Sequence, residues 1–174
     1  YMVSGSAAAT NADTIIYNVM YAFYIACSSF MGQNYGAGNK KRVLKSYFIS
    51  LFYSFTIGLI LGLLLFIFGH QFVSLFATDA TVIDAGMQRI KIMAFSYCFS
   101  SFMDCTIAAS RGIGKTIIPT IIIIMGSCVF RIVWIYTVFA WIHTIPALFL
   151  LYLFSWIITS IAEITYFIII YRKL

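Results

Sequence analysis

Long apolar runs, each closed by a few polar residues, make up most of this chain. Five of them, at roughly 11–31, 43–69, 83–110, 116–141 and 144–171, have the length of about 20 residues that a helix needs to cross a bilayer. None alternates with the period of two that marks a barrel strand. The pattern therefore predicts an all-α integral membrane protein, with residues 1–174 forming one transmembrane bundle of about five helices. The punctuation agrees. Asn39 is placed to cap the second helix and Thr116 the fourth, with Pro119 tolerated in its first turn. Thr144 followed by Pro146 opens the fifth in the same way, and the glycines of "RGIGK" stop the third. The link "GHQFVSLFATDATV" between the second and third helices is expected to hold a short amphipathic piece.

Composition makes lipid the solvent. The 174 residues are 63% hydrophobic and 9% charged, whereas soluble domains run near 45–50% apolar and about 25% charged. A net charge of +6 raises the question of nucleic acid, but the cations sit at the ends of the apolar runs, so nucleic acid is not an expected partner. Lys40, Lys41, Arg42, Lys45, Arg111, Lys115, Arg172 and Lys173 all fall on one side of a five-span chain, with only Arg89 and Lys91 on the other. That bias makes the first side cytoplasmic, including the C-terminus. Asp13, Asp79, Asp84, His70 and His143 go to the outer side. The four cysteines, Cys27, Cys98, Cys105 and Cys128, lie inside apolar stretches without CxxC spacing, which predicts buried thiols and neither a disulfide framework nor a metal site. The chain opens on Tyr1 and shows no signal-peptide pattern, so it reads as a piece of a longer protein.

Asp104, Glu163 and Arg131 are the ionisable residues inside the predicted spans, where charge is costly and usually faces a cavity or a partner. At 1.5 Å per residue, Asp104 lies roughly 10 Å and Glu163 roughly 13 Å inside the cytoplasmic helix ends, with Arg131 roughly 24 Å from the same side. Two carboxylates at similar depth suit a shared cleft that holds a proton or a cation. Arg131 is too far away to pair easily with Asp104. Tyr17, Tyr21 and Tyr24 share one helix face, with Asn18 adjacent, and such a face either receives organic cations or packs on a neighbour. "GIGKT" lacks the spacing of a phosphate loop. No Ser/His/Asp or Cys/His set offers nucleophilic chemistry, so an enzyme is not expected. Lys115 is placed to meet lipid phosphates.

The most specific stretch is "FMGQNYGAGNKKR" (30–42), where an apolar run ends in three glycines and then three cations. Gln33 and Asn34 are placed to satisfy exposed backbone groups while Gly36 and Gly38 let the chain fold back. With "SRGIGKTIIPT" (110–120) and "FRIVWI" (130–135), this stretch resembles the multidrug and toxic compound extrusion (MATE) family. The motif positions are Gln33, Asn34, Gly36, Gly38, Arg111, Gly112, Gly114 and Pro119. The resemblance implies the last five helices of a twelve-helix transporter made of two lobes, with the N-terminal lobe of the same chain missing. It implies an antiporter in a bacterial plasma membrane that exports drugs or organic cations as a proton or sodium ion enters, with no other cofactor. Many members carry an acid in the helix that ends at the "RG" turn, which points to Asp104, with Glu163 as a second contributor to coupling. The cleft candidates are Tyr17, Asn18, Tyr21, Tyr24 and Arg131. The alternative is a lipid-linked saccharide flippase, which would be expected to carry several basic residues in its cleft.

Overall fold

In a computed structural model that describes residues 2–174, the chain folds into five long helices: α1 (Met2–Gly36), α2 (Lys40–Ser74), α3 (Ala80–Gly112), α4 (Ile117–Ile142) and α5 (Ile145–Lys173). All five are long and apolar enough to cross a membrane. α3 is the axle of the bundle and packs against α1, α2 and α5, while α4 rests mainly on α5. Of the most apolar stretch of α3, 72% is buried, against 6% for α4. Most of α4 therefore faces outward.

Small residues set how closely the helices approach. On α2, Ser54, Gly58, Gly62, Leu65, Gly69 and Val73 recur every three or four residues and are all buried. They form the small-residue stripe that lets membrane helices come close. A side chain at Gly62 would collide with the Ala94 carbonyl of α3. One at Gly112 would lie 2.5 Å from the Ser28 carbonyl of α1. α4 alternates between α-helical and wider π-helical turns at Ile124–Val129 and Ile135–Phe139. Within the first wide turn, Ser155 of α5 donates to the Gly126 carbonyl at 2.8 Å.

The two glycine turns at one end of the bundle close in the same way. Gly38 sits at φ +69° and Gly114 at φ +83°, a region that costs other residues about 1–2 kcal/mol. The amide of Asn39 donates back to the Asn34 carbonyl and that of Gly38 to Tyr35; Lys115 and Gly114 donate to Ser110 and Arg111 in the same pattern. These are the paired bonds of a Schellman closure. Asn34 also donates its side-chain amide to the Phe30 carbonyl at 2.8 Å and to Ser46 Oγ of α2 at 3.0 Å. Gln33 reaches only the Ser29 hydroxyl, at 3.5 Å. Gly36 has a negative φ and open space around it, so the fold-back rests on Gly38.

Several expectations about helix ends need correction. Asn39 does cap α2, accepting from the Arg42 amide at 3.1 Å, but Thr116 and Thr144 make no side-chain cap bond. The link after α2 contains no amphipathic piece. α2 continues to Ser74, and α3 opens at Ala80 with Asp79 as its cap, because apolar periodicity runs on through Phe72 and Val73. Cys27, Cys98 and Cys105 are buried, whereas Cys128 lies exposed on α4.

Candidate functional site

The face shared by α1 and α3 carries a groove made of two cavities. The larger, about 430 Å³, is lined by Asp13, Tyr17, Arg89, Tyr97, Asp104 and Trp156 among others. The smaller, about 250 Å³, is lined by Tyr17, Tyr21, Tyr24, Ser28, Asp104 and Arg111 among others. Tyr17 and Asp104 belong to both, so they mark the junction. Helical spacing explains the assembly: Tyr17, Tyr21 and Tyr24 rise along one face of α1 while Ser100, Asp104 and Arg111 rise along the facing side of α3.

Asp104 is half-buried and accepts a 3.5 Å hydrogen bond from Ser100 Oγ. Arg111, at the end of the smaller cavity, makes no ion pair with it; among the described residues the one ion pair is elsewhere. A carboxylate with that much unused acceptor capacity can hold a cation or a proton. The rings of Tyr17 and Tyr21 stack 5.9 Å apart and are each about half exposed, while Tyr24 is buried with its hydroxyl unpartnered. The three tyrosines therefore line the smaller cavity, with Tyr24 also packed into the helix core.

The other sequence-derived candidates lie around this groove rather than in it. Asn18 is exposed on α1 outside both cavities. Arg131 on α4 places its guanidinium 4.6 Å from the ring centre of Tyr152, and Tyr152 lines the larger cavity. Glu163 is fully buried on α5, and both of its carboxylate oxygens lack a partner. It lies outside both cavities that Asp104 lines. Arg111 is within electrostatic reach of both acids.

Sequence reasoning missed the cluster at the far end of the groove. Arg89 of α3 donates to Asp13 of α1 at 2.5 Å, to the Ser6 carbonyl at 2.8 Å, to Ser6 Oγ at 2.6 Å and to Thr10 Oγ1 at 2.9 Å. The Tyr97 hydroxyl donates to the other oxygen of Asp13. The sequence pattern puts Arg89 and Asp13 on the outer side and shows no link between them. Ser6, Thr10 and Asp13, spaced three and four apart, are the signal that α1 presents a polar stripe there.

Five membrane-crossing helices around a groove with one unpaired acid make this a multi-pass helical membrane protein. The sequence profile of the MatE family matches residues 1–137, and the chain belongs to that family of transporters. It is 26% identical over 116 residues to the probable multidrug resistance protein NorM of Thermotoga maritima, covering 64% of this chain and 24% of that protein. It is 29% identical over 102 residues to the probable multidrug resistance protein YoeA of Bacillus subtilis, covering 59% of this chain and 22% of the relative. For the probable multidrug resistance protein YpnP of Bacillus subtilis the identity is 30% over 99 residues, covering 57% and 22%. The chain thus spans about a quarter of the length of the curated relatives it matches.

Proposed function

We propose that this chain is part of one lobe of a secondary antiporter that exports drugs or organic cations in exchange for protons or sodium ions. The observation that carries the reading is Asp104, an acid without an ion pair that lines both cavities opposite three tyrosines. One carboxylate that can hold either the coupling ion or a cationic substrate makes the two compete, and that competition converts an ion gradient into export. Tyr17 and Tyr21 offer ring faces to an organic cation, each worth about 0.5–2 kcal/mol. Glu163 is the second acid: fully buried on α5, it suits a proton more than a bulky substrate. The missing N-terminal lobe of the same chain supplies the facing wall of the cleft.

The end of the bundle with the two glycine turns lies in the cytoplasm under this reading, since eight of the eleven cations sit there, and the membrane is the bacterial plasma membrane. The flippase alternative is less well supported, because Arg89 is neutralised by Asp13 and Arg131 covers Tyr152, leaving few cations for a pyrophosphate. The test is ion-gradient-driven efflux by the complete protein in proteoliposomes. Asp104→Asn is expected to abolish coupling while insertion into the membrane stays normal. Undiminished coupled efflux in that variant would overturn the proposal.

A further inference from the structure

A cavity of about 740 Å³ opens at the glycine-turn end of the bundle, between the start of α4 and the last turns of α5. Its lining changes character with depth. Lys115 precedes α4 and Lys173 closes α5, while Ile117, Ile118, Tyr166 and Ile169 line the cavity from within the helices. Tyr166 lies seven residues before Lys173, about 10 Å nearer the middle of the membrane. Two cations therefore share a cavity with the isoleucines Ile117, Ile118 and Ile169, and with the hydroxyl-bearing Tyr35, Thr116 and Tyr166.

No acidic side chain faces this charge. All five acidic side chains, Asp13, Asp79, Asp84, Asp104 and Glu163, lie elsewhere in the chain, and none lines this cavity. Lys173 also lines a neighbouring cavity of about 250 Å³ together with Lys40 and Asn39, so positive charge continues around the tip of α5. The amides of Gly114 and Lys115 are occupied in closing α3, so the groups open to an anion are the two lysine side chains and the Thr116 hydroxyl, which makes no cap bond. One wall is the start of α4, whose apolar stretch is only 6% buried.

We propose that this cavity binds an anionic phospholipid. Lys115 and Lys173 hold the phosphodiester, and an acyl chain lies along Ile117, Ile118 and Ile169. A free phosphate would leave the Ile117, Ile118 and Ile169 walls uncovered, whereas an acyl chain covers them. A zwitterionic headgroup would bring a further cation to a site lined by no acidic side chain. Basic pockets between membrane helices are recognised settings for such headgroups. The bound lipid fastens α4 and α5 together at this end, where α4 has little other protein to rest on. The proposal does not depend on the transport reading.

The test uses the complete protein in mild detergent, titrated with phosphatidylglycerol, phosphatidylcholine or inorganic phosphate, with thermal midpoint and lipid retention in native mass spectra as readouts. Phosphatidylglycerol is expected to raise the midpoint and stay bound; the other two are expected to do neither. Replacing Lys115→Gln or Lys173→Gln singly should weaken phosphatidylglycerol binding about five-fold, and together about thirty-fold. Lys41→Gln with Lys45→Gln removes the same charge from the same end, outside the cavity walls, and should leave affinity within about two-fold. Equal losses in the two double variants would mean a diffuse basic belt and overturn the site. Phosphatidylcholine matching phosphatidylglycerol, or displacement of the lipid by phosphate, would overturn it as well. The single variants keep the comparison available should a double variant lose its fold.

Discussion

Arg89 of α3 holds Asp13 of α1 at 2.5 Å, with side-chain exposures of 12% and 20%, and so ties the two walls of the groove together at one end. Removing one member of a buried pair costs about 3–5 kcal/mol because the other is left uncompensated. Here the residual exposure lowers the expected cost to the bottom of that range. Arg89→Met should therefore reduce the thermal stability of the complete protein clearly. Adding Asp13→Leu should restore part of the loss, since the stranded carboxylate is then gone. If the double variant is no more stable than Arg89→Met alone, the pair is not the source of the loss.

The tyrosine face makes a prediction about substrate class. Tyr17→Leu and Tyr21→Leu should each weaken the binding of cationic substrates about 2- to 30-fold, the range of a ring–cation contact. Tyr→Phe at the same positions should lose far less, because the ring remains. Neutral substrates should be nearly indifferent to both changes. Binding measured by tryptophan quenching or by radiolabelled ligand decides it, and a loss shared equally by neutral and cationic ligands would indicate shape rather than charge recognition.

The glycine turn separates two residues that look alike in sequence. Gly38→Ala places a side chain at φ +69° and should cost about 1–2 kcal/mol. Gly36→Ala adds a methyl to a helical position with nothing within 4 Å and should be neutral or stabilising by up to about 1 kcal/mol. Chemical denaturation of the two variants side by side checks this, and equal effects would mean that the turn does not hold Gly38 in a left-handed conformation.

Much of this was legible in the sequence, for reasons that differ by residue. Helix number and order follow from apolar length alone, and the Gly38 and Gly114 turns from local glycine and asparagine chemistry. Local chemistry also fixed Asn39 as a cap, but it overrated Thr116 and Thr144. The groove around Asp104 could not be read, because the meeting of α1 and α3 depends on where Gly112, and Gly5 against Gly86, let the two backbones approach. The Arg89–Asp13 tie joins residues 76 positions apart, and no local period records such a pairing. Depth along a helix does not say which cavity a residue lines, and Glu163 lies outside both that Asp104 lines.

Asp79 offers a pH-dependent prediction outside the membrane spans. Its carboxylate accepts from the Thr81 hydroxyl at 2.7 Å and the Thr81 amide at 2.9 Å, bonds that hold it below its ordinary value of 3.8. A depressed carboxylate stabilises the fold above its unfolded value and loses that contribution as pH falls through the folded one. The first turn of α3 should thus be well protected at neutral pH and fray only below about pH 4. Hydrogen exchange at Thr81 and Val82 should rise in Asp79→Ala at neutral pH and stay low in Asp79→Ser, which still caps.

Glu163 provides a test in which stability and transport move apart. It is fully buried, and neither carboxylate oxygen has a hydrogen-bond partner. Removing a buried group that makes no bonds relieves desolvation and breaks nothing. Glu163→Met, of similar volume and apolar, should therefore leave the thermal midpoint unchanged or raise it. If Glu163 instead served as a structural anchor, the midpoint would fall by several degrees and Glu163→Gln would recover it. Under the antiport reading, Glu163→Met should also reduce ion-coupled efflux without reducing stability. Stable protein with full coupling would remove Glu163 from the mechanism and leave Asp104 as its acid in this part of the chain.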